Sequence, residues 1–108
     1  MSNFNIELLP QARKFILGMN TSAQEKVLED LRKARDSNDV SVFKKLNRNI
    51  WEFRSRWNGI EYRFLAFWSI DTNSLVIATH GFIKKTQKTP LQEIRKAEQI
   101  RKIYLEIS

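Results

Sequence analysis

Four side chains in this sequence have the types and spacing to handle a phosphate ester: Arg54, Arg63, His80 and Lys84. All four fall in stretches where apolar and polar residues alternate, as on a half-buried strand. In residues 50–56, Trp51 and Phe53 share one face while Glu52, Arg54 and Arg56 share the other. Next along the chain, Ile60, Tyr62 and Phe64 alternate with Glu61, Arg63 and Leu65, and later His80, Phe82 and Lys84 share a face. Arginine forks grip phosphate oxygens bidentately, and aromatic rings stack on unpaired bases. A sheet with this mixture therefore suits single-stranded RNA. Plainer roles exist for the same residues. Arg54 can pair with Glu52 or Glu61 as a surface ion pair, His80 can be structural, and Trp51, Phe53, Phe64 and Trp68 suit a core.

The segment after the last alternating stretch is more distinctive. Residues 84–90, Lys-Lys-Thr-Gln-Lys-Thr-Pro, put Lys84, Lys85 and Lys88 between an expected strand and the start of a helix. Phosphate is attracted to such a terminus by its unpaired N–H groups. Farther on, Arg95 and Lys102 lie seven apart, on one side of that helix. Lys44, Lys45 and Arg48 make the connector before the first arginine strand basic as well.

Charge distribution supports a polyanionic ligand. The net charge is +7, and residues 1–39 contribute none of it, with six basic and six acidic side chains. The excess lies wholly in residues 40–108. The sequence contains no cysteine, which excludes disulfides, a thiol nucleophile and thiolate zinc sites. No cluster of His, Asp and Glu has metal-ligand spacing, so neither metal nor cofactor is expected. No apolar run reaches membrane-spanning length and the N-terminus lacks a signal pattern, which predicts a cytoplasmic protein with no membrane partner.

The elements that must position these residues read as β-α-α-β-β-β-α in one domain, residues 1–108. Phe4, Ile6 and Leu8 alternate in a strand over residues 3–8, and Pro10 opens a short helix over residues 10–19. A second helix runs to about Arg35. Ser22 with Glu25, or Thr21 with Gln24, would cap it, and Ala23, Val27, Leu28, Leu31 and Ala34 form its stripe. The pairs Lys26–Asp30 and Glu29–Lys33 are placed on its outer face. Residues 36–49 read as a connector. Asn58-Gly59 marks a hairpin between residues 50–56 and Ile60–Trp68, which can bring Arg54 near Arg63. A turn over residues 71–74 leads to a strand over Leu75–Ile83. Thr89 would cap the last helix, with Pro90 at its first position and Gln92 completing the box. Leu91, Ile94, Ala97, Ile100, Tyr104 and Ile107 give that helix its apolar side. The expected fold is α+β: an antiparallel meander with the first strand added at its edge or centre, two early helices on one face and a basic C-terminal helix.

With those residues in view, the chain resembles the phage-derived HigB-type branch of the RelE/ParE toxin superfamily. The likeness rests on Lys45-Leu46, Ile50-Trp51-Glu52-Phe53-Arg54, Tyr62-Arg63, and above all His80-Gly81-Phe82-Ile83-Lys84-Lys85-Thr86-Gln87-Lys88-Thr89-Pro90, with Ile94 and Ala97 beyond. It covers nearly the whole chain. The resemblance implies a RelE-like fold and a ribosome-dependent endoribonuclease, an mRNA interferase. It also implies a cognate helix-turn-helix antitoxin as partner in a toxin–antitoxin complex. That antitoxin is expected on the neutral helices, residues 11–35, or on the basic face.

In such an enzyme a ribose 2′-hydroxyl attacks the adjacent phosphate without metal. Arg54 and Arg63 would stabilise the phosphorane, Lys84 would hold the phosphate with Lys85, and His80 would carry the proton. Glu52 would serve instead as base, or orient Arg54. Lys45, Arg56, Lys85, Lys88, Arg95 and Lys102 would contact RNA phosphates. The competing readings are a ParE-like inhibitor of DNA gyrase, a basic RNA-binding module without catalysis, and a homologue that has lost activity.

Overall fold

Asn58 and Gly59 both adopt positive φ, 52° and 78°. That is the backbone a two-residue hairpin needs to match the twist of its strands. The hairpin sets the register of the two strands that flank it, with Arg54 opposite Arg63. The computed structural model describes residues 4–37, 39–70 and 74–107. Its elements are β1 (Asn5–Leu8), α1 (Pro10–Leu17), α2 (Thr21–Asp36), β2 (Phe43–Lys45), β3 (Trp51–Trp57), β4 (Ile60–Trp68), β5 (Leu75–Ile83) and α3 (Leu91–Ile107). They form one five-stranded sheet in the order β1-β5-β4-β3-β2, flanked by helices. None of the helices described is long and apolar enough to cross a membrane.

The α+β meander is present, with two additions. β1 takes the edge beside β5 and runs parallel to it, Asn5 opposite Leu75. The connector over residues 36–49 contains a strand that its composition hides: β2 pairs with β3, Phe43 opposite Phe53 and Lys45 opposite Trp51. Phe43 is the reason. Its ring stacks on Phe53 and Trp51 at centroid distances of 4.4 and 4.8 Å. The expected turn over residues 71–74 falls largely outside the described residues, as does residue 3 of the first strand.

Helices α1 and α2 share one face of the sheet. Ala12, Ile16, Ala23, Val27, Leu31 and Ala34 pack there on Phe53, Tyr62, Phe64 and Ala66. Gly81 is required at this contact, because a Cβ there would press on the Phe15 ring and sit 2.7 Å from Phe64 Cε2. Three parts of the α2 reading change. The cap is Asn20, whose side chain accepts from the Ala23 N–H at 2.9 Å, in place of Ser22 or Thr21. Leu28 is exposed. Asp30 is buried, because Ser55 Oγ from β3 donates to it at 2.7 Å.

Helix α3 lies on the opposite face, where Ala97, Ile94 and Tyr104 meet Leu65, Phe67 and Ile77. Phe67 and Tyr104 form an edge-to-face ring pair at 5.5 Å. Burying a ring such as Phe53, Phe64 or Phe67 contributes about 1.5–3 kcal/mol. Leu91 and Ile107, expected on the apolar side of α3, are exposed. The β4–β5 ladder slips between Leu65 and Ala66: Leu65 faces His80 while Ala66 faces Ala78, so Thr79 is the extra residue of a bulge. The slip lets His80 and Ile77 share the α3 side of the sheet.

Candidate functional site

The α3 side of the sheet has two halves. α3 covers the half built from Leu65, Phe67 and Ile77. The other half, toward the Asn58–Gly59 turn, carries the cations. There Arg54 lies directly opposite Arg63 across β3 and β4, and Arg63 lies opposite Phe82 of β5. The Lys84 N–H donates to the Glu61 carbonyl at 2.8 Å, which extends the ladder one step past Ile83. By the two-residue period, Glu52, Arg54, Arg56, Glu61, Arg63, Phe82 and Lys84 project on this one side.

Glu52 organises the cluster. It is 0% exposed. Its Oε1 accepts from Arg54 Nε at 3.0 Å and stands 3.6 Å from Arg63 Nε, while Oε2 accepts from Thr89 Oγ1. One buried carboxylate therefore ties two arginines to the end of the Lys84–Thr89 loop. Both oxygens of Glu52 are thus engaged in holding its neighbours. Thr89, expected as the α3 cap, spends its hydroxyl on Glu52.

Arg63 is held on several sides. Its side chain is 7% exposed, Nη1 donates to the Tyr62 carbonyl at 3.2 Å, and Nη2 donates to Glu61. Its buried Nε is the one side-chain nitrogen or oxygen among the described residues that is buried without a hydrogen-bond partner. Arg54 differs: its side chain is 28% exposed, and its bond to Glu52 uses Nε, not the terminal nitrogens. Glu61 reports the local field. The Arg63 hydrogen bond, then the charges of Arg63, Lys84 and Arg56, hold its carboxyl below the ordinary 4.5.

His80 sits beneath this surface, not on it. It is 3% exposed. Nε2 is 3.0 Å from Glu93 Oε1 of α3, and Nδ1 is 2.8 Å from Thr79 Oγ1. Thr79 Oγ1 also reaches the Leu65 carbonyl at 3.2 Å. Thr79 has one hydroxyl proton, so it donates either to Nδ1 of a neutral ring that itself donates from Nε2 to Glu93, or to the Leu65 carbonyl. Burial pushes the His80 pKa below 6.5, with the Glu93 hydrogen bond opposing and Lys96 adding to the downward shift. His80 is thus placed to fix helix α3 to the bulge.

The remaining predicted contacts are dispersed. Arg56, Lys85 and Lys88 are exposed around the cluster. Lys45 lies opposite Trp51, which puts it on the α1–α2 side; its neighbour Lys44, opposite Glu52, is on the arginine side and was not singled out. Strand β2 had to be seen before that alternation could be read. Arg95 and Lys102 do share one groove along α3, but with Glu98 and Glu106. A further groove joins Arg54, Arg56 and Arg63 to Lys26 and Lys33 of α2. The sequence signal for those lysines was the i, i+4, i+7 row Lys26, Asp30, Lys33 beside the apolar stripe. Among the described residues no group of three His, Asp or Glu side chains could hold a metal ion.

Two early helices on one face of a five-stranded, mostly antiparallel sheet, with a C-terminal helix across half of the other, define the RelE-like class of α+β fold. A chain of the intact E. coli RelBE toxin–antitoxin complex shares it, with a TM-score of 0.58 at 14% sequence identity, over 77% of this chain and 99% of that one. The protein belongs to the phage-derived Gp49-like family, whose model matches residues 14–102. No curated protein matches it significantly in sequence. The likeness to RelE-type toxins read from Lys84–Pro90 and the strands before it holds in both family and fold.

Proposed function

We propose that this protein is the toxin of a type II toxin–antitoxin pair and that it cleaves messenger RNA on the ribosome. The observation that carries the reading is the Glu52 tie, which sets Arg54, Arg63 and the Lys84–Thr89 loop together on the uncovered half of the sheet. A sheet built only to bind a protein has no need of clustered phosphate ligands.

The proposed step is in-line attack of a 2′-hydroxyl oxygen on the neighbouring phosphorus. The P–O2′ bond forms, the P–O5′ bond breaks, the 2′ oxygen loses its proton and the 5′ oxygen gains one. The products are a 2′,3′-cyclic phosphate and a 5′-hydroxyl. Arg54 meets the phosphorane with its terminal nitrogens. Arg63, fixed from behind, supplies a charge that does not have to reorganise. Lys84 and Lys85 hold the scissile phosphate, and Arg56 and Lys88 its neighbours. His80, the only histidine, is enclosed, so we assign it to positioning α3. The rate then comes from charge stabilisation and from the substrate geometry that the ribosome imposes, with no metal or cofactor. Arg95 and Lys102 extend the phosphate contacts along α3. A helix-turn-helix antitoxin as partner and a cytoplasmic location belong to the same proposal, supported by the RelBE chain of like fold.

Primer extension on a defined messenger in a purified translation system tests this. Wild-type protein should cut only translating messenger. Arg54→Ala should lower the rate on the order of 10²–10³-fold, with losses also for Arg63→Ala and Lys84→Ala. Intact messenger together with broken DNA would replace the reading with gyrase inhibition. RNA binding without cleavage would leave a binding module or an inactive homologue.

A further inference from the structure

Strand β2 covers only part of the β3 edge. Its ladder ends at Phe43 opposite Phe53, and one more bond joins the Arg54 N–H to the Val42 carbonyl at 2.9 Å. Beyond that point no strand among the described residues lies beside Ser55, Arg56 and Trp57 on the side away from β4. A groove of about 320 Å³ wraps this open edge, lined by Lys26, Asp30 and Lys33 of α2, by Ser41 and Val42, and by the arginine strands. It joins the two faces of the sheet around the edge.

The charges in the groove do not cancel. Arg54 and Arg63 also meet Glu52 behind the lining; within the lining itself, Lys26, Lys33, Arg54, Arg56 and Arg63 stand against two carboxylates, Asp30 and Glu61. Both carboxylates are already engaged, Asp30 by Ser55 at 2.7 Å and Lys26 at 2.8 Å, Glu61 by Arg63. Asp39, whose carboxyl feels Lys33, is held by the Ser41 N–H at 2.8 Å and the Ser41 hydroxyl at 2.7 Å. By the alternation of the ladder, the Arg56 N–H points outward as the Arg54 N–H does, a further donor on an unpaired edge. An acidic protein segment would need apolar anchors at the centre of its footprint, and Val42 is the one aliphatic side chain in this lining. A phosphodiester backbone needs only the cations and donors that are there.

We propose that this groove is a second phosphate-contact site. In it, the RNA strand leaves the arginine face around the open edge of β3 and runs along α2, held by Lys33 and Lys26. The proposal rests on the RNA reading above and deepens it. It assigns part of the otherwise neutral stretch over residues 1–39 to substrate and makes Lys33 its principal contact, since Lys26 is shared with Asp30.

The test is binding of a short oligouridylate, followed by fluorescence anisotropy over a salt series. The variants are Lys33→Ala, Lys33→Glu, Arg54→Ala and, as reference, Lys14→Ala on exposed α1. Each phosphate contact adds about 0.7 to the slope of log affinity against log salt on a single strand. Lys33→Ala should reduce the slope by about 0.7, close to fivefold in affinity at about 0.1 M salt. Lys33→Glu should lose more, and Lys14→Ala should match wild type. If Arg54→Ala weakens binding while Lys33→Ala keeps the wild-type slope, the groove proposal fails and the RNA reading stands. No binding by the wild type removes both. Equal losses in Lys14→Ala and Lys33→Ala would reduce the effect to net charge and overturn the site. Unchanged RNA binding with lost affinity of Lys33→Ala for polyglutamate would give the groove to an acidic protein segment.

Discussion

Glu52→Ala removes the carboxylate that touches both arginines and the Thr89 end of the Lys84–Thr89 loop. The carboxylate is 0% exposed, with Arg54 Nε at 3.0 Å and Arg63 Nε at 3.6 Å. Arg54 can rehydrate when its partner goes. Arg63 cannot, because its side chain is 7% exposed. Removing one member of a buried pair costs about 3–5 kcal/mol, and the hydration open to Arg54 puts Glu52→Ala near the lower end, at about 3 kcal/mol. A domain of this size has about 5–15 kcal/mol in all and loses about 4–8 °C in Tm per kcal/mol. The expected fall is therefore about 12–24 °C. Glu52→Gln keeps one acceptor oxygen, for Arg54, turns the other position into an N–H donor toward Thr89 and drops the charge, and should cost about 1–3 kcal/mol. Urea unfolding followed through Trp51, Trp57 and Trp68 measures both. In a double-mutant cycle with Arg63→Ala, the coupling should exceed about 1 kcal/mol. A Glu52→Ala protein within about 1 kcal/mol of wild type, or strict additivity in the cycle, would refute the view that Glu52 holds the site together.

Three further outcomes follow from the geometry. Burial sets the His80 pKa below 6.5 in the folded chain; the unfolded chain takes up that proton first, so stability is full above about pH 6.5 and falls as pH drops toward the folded value. Urea midpoints at about pH 7.5 and about pH 5.5 should differ for the wild type and converge for His80→Gln. Gly81→Ala forces Phe15 and Phe64 apart and should destabilise by about 1–3 kcal/mol; an unchanged thermal midpoint would mean that the α1 contact is looser than described. Asn20→Ala removes the side-chain cap on α2 and should cost about 1 kcal/mol, whereas Ser22→Ala should cost almost nothing; the reverse order in thermal unfolding would restore the Ser22 box.

Much of the fold was legible because its strongest signals are local. Asn58-Gly59 marked a hairpin that could bring Arg54 near Arg63, and the register that pairs them is seen only in the structure. The alternation of Glu52, Arg54 and Arg56 placed them on one face without knowledge of the sheet. What the sequence hid depends on distant partners. Lys44-Lys45 reads as a basic connector until Phe43 finds Phe53 and makes a strand of it. Asp30 looks like half of a surface helix pair until Ser55, brought in by β3, buries it. An ordinary histidine pKa near 6.5 suits a catalyst, yet the Thr79 bulge and Glu93 enclose His80 and burial lowers its pKa, and neither a bulge nor a cross-element pairing announces itself in composition. Thr89 matched a capping pattern so well that its actual partner, Glu52, could not be read from the pattern.

The parallel pairing of β1 with β5 has a consequence for how the protein is made. Asn5 finds its neighbour at Leu75, so β1 waits, with its backbone unpaired, for β5. Contacts of such long sequence separation form slowly. Until β5 has emerged, α1 and α2 lack much of the sheet that buries them, and the arginines of β3 and β4 lack the Thr89 end of their tie. The same topology therefore makes the pairing of β1 and the closing of the Glu52 tie wait for residues 75–89.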